Sequence, residues 1–196
     1  MVAMENEIDS IVGFLRGAER LKCVTRSGWT SDGERESVAA HSWRLCLLAL
    51  VAHRHVPNVD FARLIKICLV HDLGEAIGGD IPAISQTAAG AKSAAERRDL
   101  LEVVAPLSRE AAAEIVALWD EYEAAATTEA KVAKALDKLE TMIQHNQGRN
   151  PPGFDYRFNL RYGAEYTGFD PFIAAFRARV DRDTSARAIA AERTAG

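Results

Sequence analysis

His71 and Asp72 stand side by side in Leu69-Val70-His71-Asp72-Leu73-Gly74-Glu75, at the end of an apolar run that opens at Phe61. Holding an imidazole nitrogen against a carboxylate at the buried end of a helix is costly unless something cationic sits there. A divalent metal ion meets that condition. A second carboxylate, Glu75, follows four residues after the histidine. One histidine and one aspartate do not make a cage, so other stretches must supply the remaining ligands.

The chain has five histidines, and helix geometry separates them. His41 lies near the start of a predicted helix that runs from Val38 to about His55. His53 is about 120° around that helix and roughly 18 Å along it, and His55 is roughly 21 Å away. Neither can share an ion with His41, and both read as surface or helix-end residues. On a later helix, Ala133, Leu136, Leu139, Met142 and Ile143 form a buried stripe with Asp137 at its edge. Glu140 and Lys134 read as ordinary solvent-facing charges. His145 is about 12 Å beyond Asp137 and is not its co-ligand.

The candidate ligands are therefore His41, His71, Asp72 and Asp137. Two imidazoles and two carboxylates without thiolate suit Mn²⁺, Co²⁺, Fe²⁺, Ni²⁺, Mg²⁺ or catalytic Zn²⁺ rather than structural zinc. Four protein ligands on a six-coordinate ion leave two positions for water and a substrate oxygen. Taken singly, each residue also has a plain reading: His41 as a satisfied core or surface histidine, Asp137 as half of a surface salt bridge.

The elements that must converge these residues are helical. Ile8, Ile11, Val12, Leu15 and Ala18 predict a first amphipathic helix. Lys22 to Glu36, with Gly28 and Gly33, reads as a loop. Ser37 caps the second helix, apolar on most faces and expected at the centre, and Asp60 caps a third from Phe61 to about Asp72. Gly78 to Pro82 forms a bend, and Ser85 to Lys92 a surface loop. Further helices are predicted from Ser93 to Val104, from Arg109 to about Ala125 behind Ser108, and from Glu129 to about Gln147 behind Thr128. Gly148 to Gly153 is a break, and Asp170-Pro171 opens a last helix whose Arg177, Arg179, Asp181, Arg182 and Asp183 read as a solvated face. The class is all-α: a compact single-domain bundle of about seven or eight helices over residues 1–196.

Composition limits the function. With 196 residues and 48% apolar content the chain can bury a full core. A net charge of −4 argues against a nucleic-acid or anionic-membrane surface. Three cysteines without a C-x-x-C pair fit a reducing compartment, and Cys46 and Cys68 read as core residues. The acidic, polar start does not read as a signal peptide, and the longest apolar run, Leu45 to Ala52, is too short to span a bilayer. A cytoplasmic protein is expected.

Together, His41, His71-Asp72 and Asp137 resemble the H…HD…D signature of the HD-domain metal-dependent phosphohydrolases. Arg26-Ser27-Gly28-Trp29, Glu36-Ser37-Val38-Ala39-Ala40-His41, Gly79-Asp80-Ile81-Pro82, Leu118 to Glu123 and Leu136-Asp137-Lys138-Leu139-Glu140 are similar to the 5′-deoxynucleotidase branch of that family. The resemblance covers about residues 10–147 and is weak in the helical extension, about 153–196. It implies a homodimer, one divalent metal ion per subunit, and removal of the 5′-phosphate from deoxynucleoside monophosphates. It further implies that Glu75 positions or deprotonates the attacking water, Asp80 holds water or the sugar, Arg26 binds the phosphate, and Trp29 packs on the deoxyribose. One departure stands out: Ser27-Gly28 separates Arg26 from Trp29, which are adjacent in one bacterial subset. The absence of a Glu-Asp pair after the HD, and of further histidines between Asp72 and His145, argues against guanosine-tetraphosphate, triphosphate and cyclic-dinucleotide hydrolases. Two alternatives remain: a hydrolase of another small phosphate ester, and a non-catalytic, metal-stabilised dimer that binds nucleotide.

Overall fold

The computed structural model describes residues 2–81 and 89–195. Pro82, at the end of the predicted bend, and the first half of the predicted 85–92 loop lie outside the described residues; the second half, 89–92, is not loop but the start of α5. The elements are α1 (Val2–Ala18), β1 (Thr25–Trp29), β2 (Arg35–Ser37), α2 (Val38–Ala52), α3 (Phe61–Val70), α4 (Glu75–Gly78), α5 (Ala89–Val104), α6 (Arg109–Ala124), α7 (Thr128–Gln147), α8 (Tyr156–Asn159) and α9 (Pro171–Ala195). Among the described residues the fold is all-α, as expected, apart from one short β-ribbon.

Three helices form the centre. α2, α3 and α7 pack on one another, α6 lies across α3 and α7, and α9 covers α7 and α8. Leu45 and Ala49 of α2, Leu64 and Ile67 of α3, and Leu136, Leu139 and Met142 of α7 are fully buried in one cluster. Leu64, Ile67 and Cys68 follow the i, i+3, i+4 spacing that gives α3 one apolar stripe. The predicted caps at Ser37, Asp60 and Ser108 are present: each side chain accepts a backbone N–H from three residues on. Asp170 accepts from Phe172 and Ile173 and starts α9 at Pro171.

Several expectations need correction. The stretch from Lys22 to Glu36 is not a plain loop; Thr25–Trp29 and Arg35–Ser37 pair as an antiparallel ribbon. With Gly28 in the first strand and only three residues in the second, neither shows the alternation that marks strands. α7 is capped by Thr127 rather than Thr128, since Thr127 Oγ1 accepts from Ala130 N–H. α5 begins at Ala89, so Ser93 is no cap; its hydroxyl donates to Glu123 instead. α2 is central on one side only: Trp43, Leu47, Leu50 and Val51 are exposed. The apolar residues of α1, Ile8, Ile11, Val12 and Leu15, also face outward. Arg177 is buried and donates to the carbonyls of Asn159, Leu160 and Tyr162, tying the segment after α8 to α9.

Two glycines set the spacing around the site. A Cβ at Gly74 would lie 2.4 Å from the Glu96 carbonyl oxygen, so only glycine lets the α3–α4 junction rest on α5. A Cβ at Gly148 would lie 2.2 Å from the Trp29 carbonyl oxygen, where the ribbon meets the end of α7.

Candidate metal centre

His41 on α2, His71 just past α3 and Asp137 on α7 meet in the middle of the central trio. Their donor atoms lie within 4.8 Å of one another, and all three residues are buried. His41 Nε2 is 3.2 Å from Asp137 Oδ1, and His71 Nε2 is 3.1 Å from Asp72 Oδ2. Asp72 stands at the rim, its Oδ2 also 3.8 Å from His41 Nε2. The four candidates, from α2, α7 and the turn that follows α3, thus lie together.

Each ligand candidate is aimed by a second contact. His71 Nδ1–H donates to the Cys68 carbonyl at 2.9 Å, which leaves Nε2 as the free nitrogen. His41 Nδ1 is 2.5 Å from Glu140 Oε2, with the same result for its Nε2. Neither Nε2 makes a hydrogen bond, although both are buried. On Asp137, Oδ2 accepts from the Tyr122 hydroxyl at 2.6 Å and pairs with Lys138 Nζ at 2.9 Å, turning Oδ1 inward. Buried imidazole lone pairs facing carboxylate oxygens, with their outer nitrogens held by acceptors, are what a divalent cation requires.

The charge balance points the same way. Burial and Arg26 push the His41 imidazole down, but Glu140 and Asp137 outweigh them and raise its pKa to about 9. The carboxylates thus demand a positive charge, which a proton or a metal ion can supply. Burial, then Asp72 and Asp80, raise the Glu75 carboxyl to about 9. Burial opposes ionisation of Asp72 too, yet His71, Arg26 and His41 hold its pKa below the ordinary carboxylate range. Behind His41 lies a second carboxylate, Glu36, raised to about 7 by burial and by Glu140.

The centre forms part of a cavity of about 680 Å³ lined also by Arg26, Trp29, Glu75 and Asp80. Arg26 is not a surface charge. Its Nη1 donates to Asp72 Oδ2 at 2.9 Å and its Nη2 to Thr141 Oγ1 at 3.0 Å. Glu75 is buried, and its Oε2 has no hydrogen-bond partner among the described residues. Trp29 is no buried core anchor: the Arg35 guanidinium covers one face at 4.5 Å, and its ring meets Phe154 edge-on. In a regular strand, Arg26 and Trp29, three residues apart, would point to opposite faces. The ribbon pairs Thr25 with Ser37 and Trp29 with Arg35, so β1 carries extra residues between the two pairs. That bulge brings both side chains to the cavity despite Ser27-Gly28.

Sequence reasoning missed Glu140, Lys134, Tyr122 and Lys138. Glu140 and Lys134 are buried, not solvent-facing. Lys134 Nζ sits over the Tyr122 ring and reaches the Tyr122 carbonyl oxygen and Glu123. A signal for both was present, because they lie three residues either side of Asp137, on the same helical face.

A family model described as the HD domain matches residues 18–176. The chain belongs to the HD-domain family. The match runs past residue 147 and takes in the segment after α7, where motif resemblance is weak. Among curated relatives, the 5′-deoxynucleotidase HDDC2 of Danio rerio is 34% identical over 71% of this chain and 70% of its own length. The human protein of that name is 33% identical over 70% of this chain and 68% of its own, and the 5′-deoxynucleotidase hdd1 of Schizosaccharomyces pombe is 36% identical over 69% and 70%. A crystal structure of a predicted metal-dependent phosphohydrolase from Magnetospirillum magnetotacticum superposes with a TM-score of 0.74 at 27% identity, covering 96% of this chain and 94% of that one. HD domains of this kind carry a divalent metal, and the buried His/Asp cluster fits one. Among the described residues, no helix is long and apolar enough to cross a membrane.

Proposed function

We propose that this chain is a metal-dependent 5′-deoxynucleotidase that converts deoxynucleoside monophosphates to deoxynucleoside and phosphate. The observation that carries the reading is the pair of buried Nε2 atoms of His41 and His71, without a hydrogen bond among the described residues and facing Asp137 and Asp72, at a centre that opens through His71, Asp72 and Asp137 into a cavity also lined by Arg26. The names of the relatives support the substrate class.

In this reading His41, His71, Asp72 and Asp137 hold one divalent ion per subunit, drawn from Mn²⁺, Co²⁺, Fe²⁺, Ni²⁺, Mg²⁺ or Zn²⁺. Such an ion supplies charge for phosphoryl oxygens and lowers the pKa of a bound water. Arg26 turns its guanidinium from Asp72 and Thr141 to the substrate phosphate, for which its planar fork is suited. Glu75, whose Oε2 is buried in the cavity wall, would position the attacking water or, once the charge of a bound ion lowers its pKa from about 9, accept its proton and return it to the departing 5′-oxygen. Asp80, beside Glu75 and Arg26 in the cavity, orients water or the sugar hydroxyl. Trp29 packs on the deoxyribose, close enough to disfavour a 2′-hydroxyl.

The same reading makes the chain one domain over residues 1–196 and a cytoplasmic homodimer. The exposed apolar stripes of α1 (Ile8, Ile11, Leu15) and α2 (Trp43, Leu47, Leu50) support a second copy as the cover for these faces. Sedimentation should give a dimer, and Leu47→Asp a monomer.

The deciding experiment measures phosphate release from deoxy- and ribonucleoside monophosphates with each of the candidate metals. Release from the deoxy series, lost in Asp72→Ala, is the expected result. Release only from non-nucleotide esters would move the site to another phosphomonoester. No release with any metal, together with a nucleotide-dependent rise in melting temperature, would favour a non-catalytic binder.

A further inference from the structure

The cavity of about 680 Å³ is far larger than a metal ion and a phosphate group need. Its two sides differ in chemistry. Towards α5 and α6 the lining charges are already engaged: Lys134 with Glu123 at 3.2 Å, Ser93 with Glu123 at 2.6 Å, and Lys92 with Glu96 at 3.1 Å and Glu75 at 3.6 Å. Towards the ribbon and the segment after α7 the lining is rich in aromatic rings, with Arg35, Asp155 and Glu165 among them. Phe154 meets Trp29 edge-on with ring centroids 6.3 Å apart and His145 with centroids 4.9 Å apart. Next to His145 is Asn159, 1% exposed, whose amide lies 3.1–3.2 Å from His145 Nδ1.

On this basis, and resting on the deoxynucleotidase reading, we propose that Phe154, His145 and Asn159 form the nucleobase subsite, with Trp29 at its edge. Aromatic rings next to an uncharged pair that can both donate and accept hydrogen bonds suit a flat, neutral, nitrogen-rich heterocycle. Burial, opposed in part by the Asn159 contact, holds the His145 pKa at about 4, so the imidazole is neutral at neutral pH. Spacing fits as well. Trp29 lies three residues from Arg26, at most about 10 Å along the ribbon. His145 lies eight residues, about 12 Å, along α7 from Asp137. These separations match an extended 5′-nucleotide with its phosphate at the metal end and its base at Phe154.

The segment is also held as a binding wall would be. Asn150 Nδ2 donates to the His145 carbonyl and to the Tyr156 hydroxyl, and Asp155 caps α8 by accepting from Phe158 N–H. Arg177 of α9 clamps the carbonyls at the far end of α8. The C-terminal extension thus shapes the cavity rather than merely trailing the motif-bearing core.

The test compares a deoxynucleoside 5′-monophosphate with 1-O-methyl-2-deoxyribose 5-phosphate, the same sugar phosphate without a base, on the metal-loaded enzyme. Phe154→Ala should raise KM for the nucleotide about tenfold or more while leaving the abasic ester unchanged. Asn159→Ala should do the same and also change the ratio of kcat/KM between two bases, which loss of stacking alone does not. Melting temperatures identify a variant that fails to fold, and half-buried Phe154 carries the test if Asn159→Ala does. An unchanged nucleotide KM in Phe154→Ala, or an equal rise for both esters, overturns the subsite with the deoxynucleotidase reading intact. Wild-type enzyme that hydrolyses neither ester removes that reading, and the subsite with it.

Discussion

His71 on the cavity floor, His41 just beneath it and His145 in the wall are all buried, yet their nitrogens are used differently. On the floor, Nδ1 of each ring is held by a protein acceptor, Glu140 or the Cys68 carbonyl, and the two Nε2 atoms face carboxylates without a hydrogen bond. In the wall, His145 Nδ1 is satisfied by a neutral amide, and burial pushes its pKa down to about 4. Glu140 and Asp137 instead raise His41 to about 9, against burial and Arg26. Burial alone therefore does not suit a histidine to a cation. Nearby anions, together with a fixed outer nitrogen, do.

The largest way to break this contrast is to remove a floor anion. Asp137→Ala should lower phosphate release by about a thousandfold or more and abolish metal binding by calorimetry, because it also strands Tyr122 and Lys138. An Asp137→Ala enzyme that binds metal normally would remove Asp137 from the ligand set. Next comes the outer nitrogen: Glu140→Ala frees His41 Nδ1 and should weaken metal affinity about 10- to 100-fold. Full affinity in that variant would mean that Glu140 only fills space.

The wall has its own pH signature. The folded-state pKa of His145 is about 4, below the ordinary value of 6.5, so the unfolded chain binds the extra proton first. Its contribution to stability is complete above pH 6.5 and is lost as pH falls towards 4, by up to about 3 kcal/mol. In denaturant titrations of metal-loaded protein, His145→Gln should show a shallower loss over that window than wild type. Equal slopes would contradict a neutral buried imidazole. The smallest effect lies outside the cavity. Thr127→Ala removes the cap of α7 and should cost about 1 kcal/mol of stability while leaving the metal affinity of the folded protein unchanged.

Much of the floor was legible in the chain. The capping serines and aspartates, the i, i+3, i+4 stripe of α3 and the His-Asp junction are local patterns, and local patterns determine where helices start and which face they bury. The ribbon was not legible, because its strands are short and β1 is bulged. Nor were the buried Glu140, Lys134 and Arg177: a charged residue one helical step from an apolar stripe reads as solvated until its partner is known. Those partners are far away in sequence, Glu140 against His41 and Arg177 against the 159–162 carbonyls. The outward faces of α1 and α2 were hidden for the same reason, since periodicity reveals that a helix has an apolar side but not what covers it.

By itself, then, the sequence determined the helical class, the helix starts and the residue types able to hold a cation, all of which depend on neighbours within a turn or two. Only the tertiary structure decided that Glu140 and Tyr122 aim those ligands, that a bulge puts Arg26 and Trp29 on one wall, and that Phe154 and Asn159 close the far end. Such contacts join groups that can be more than a hundred residues apart, where chain packing rather than local spacing sets the distance.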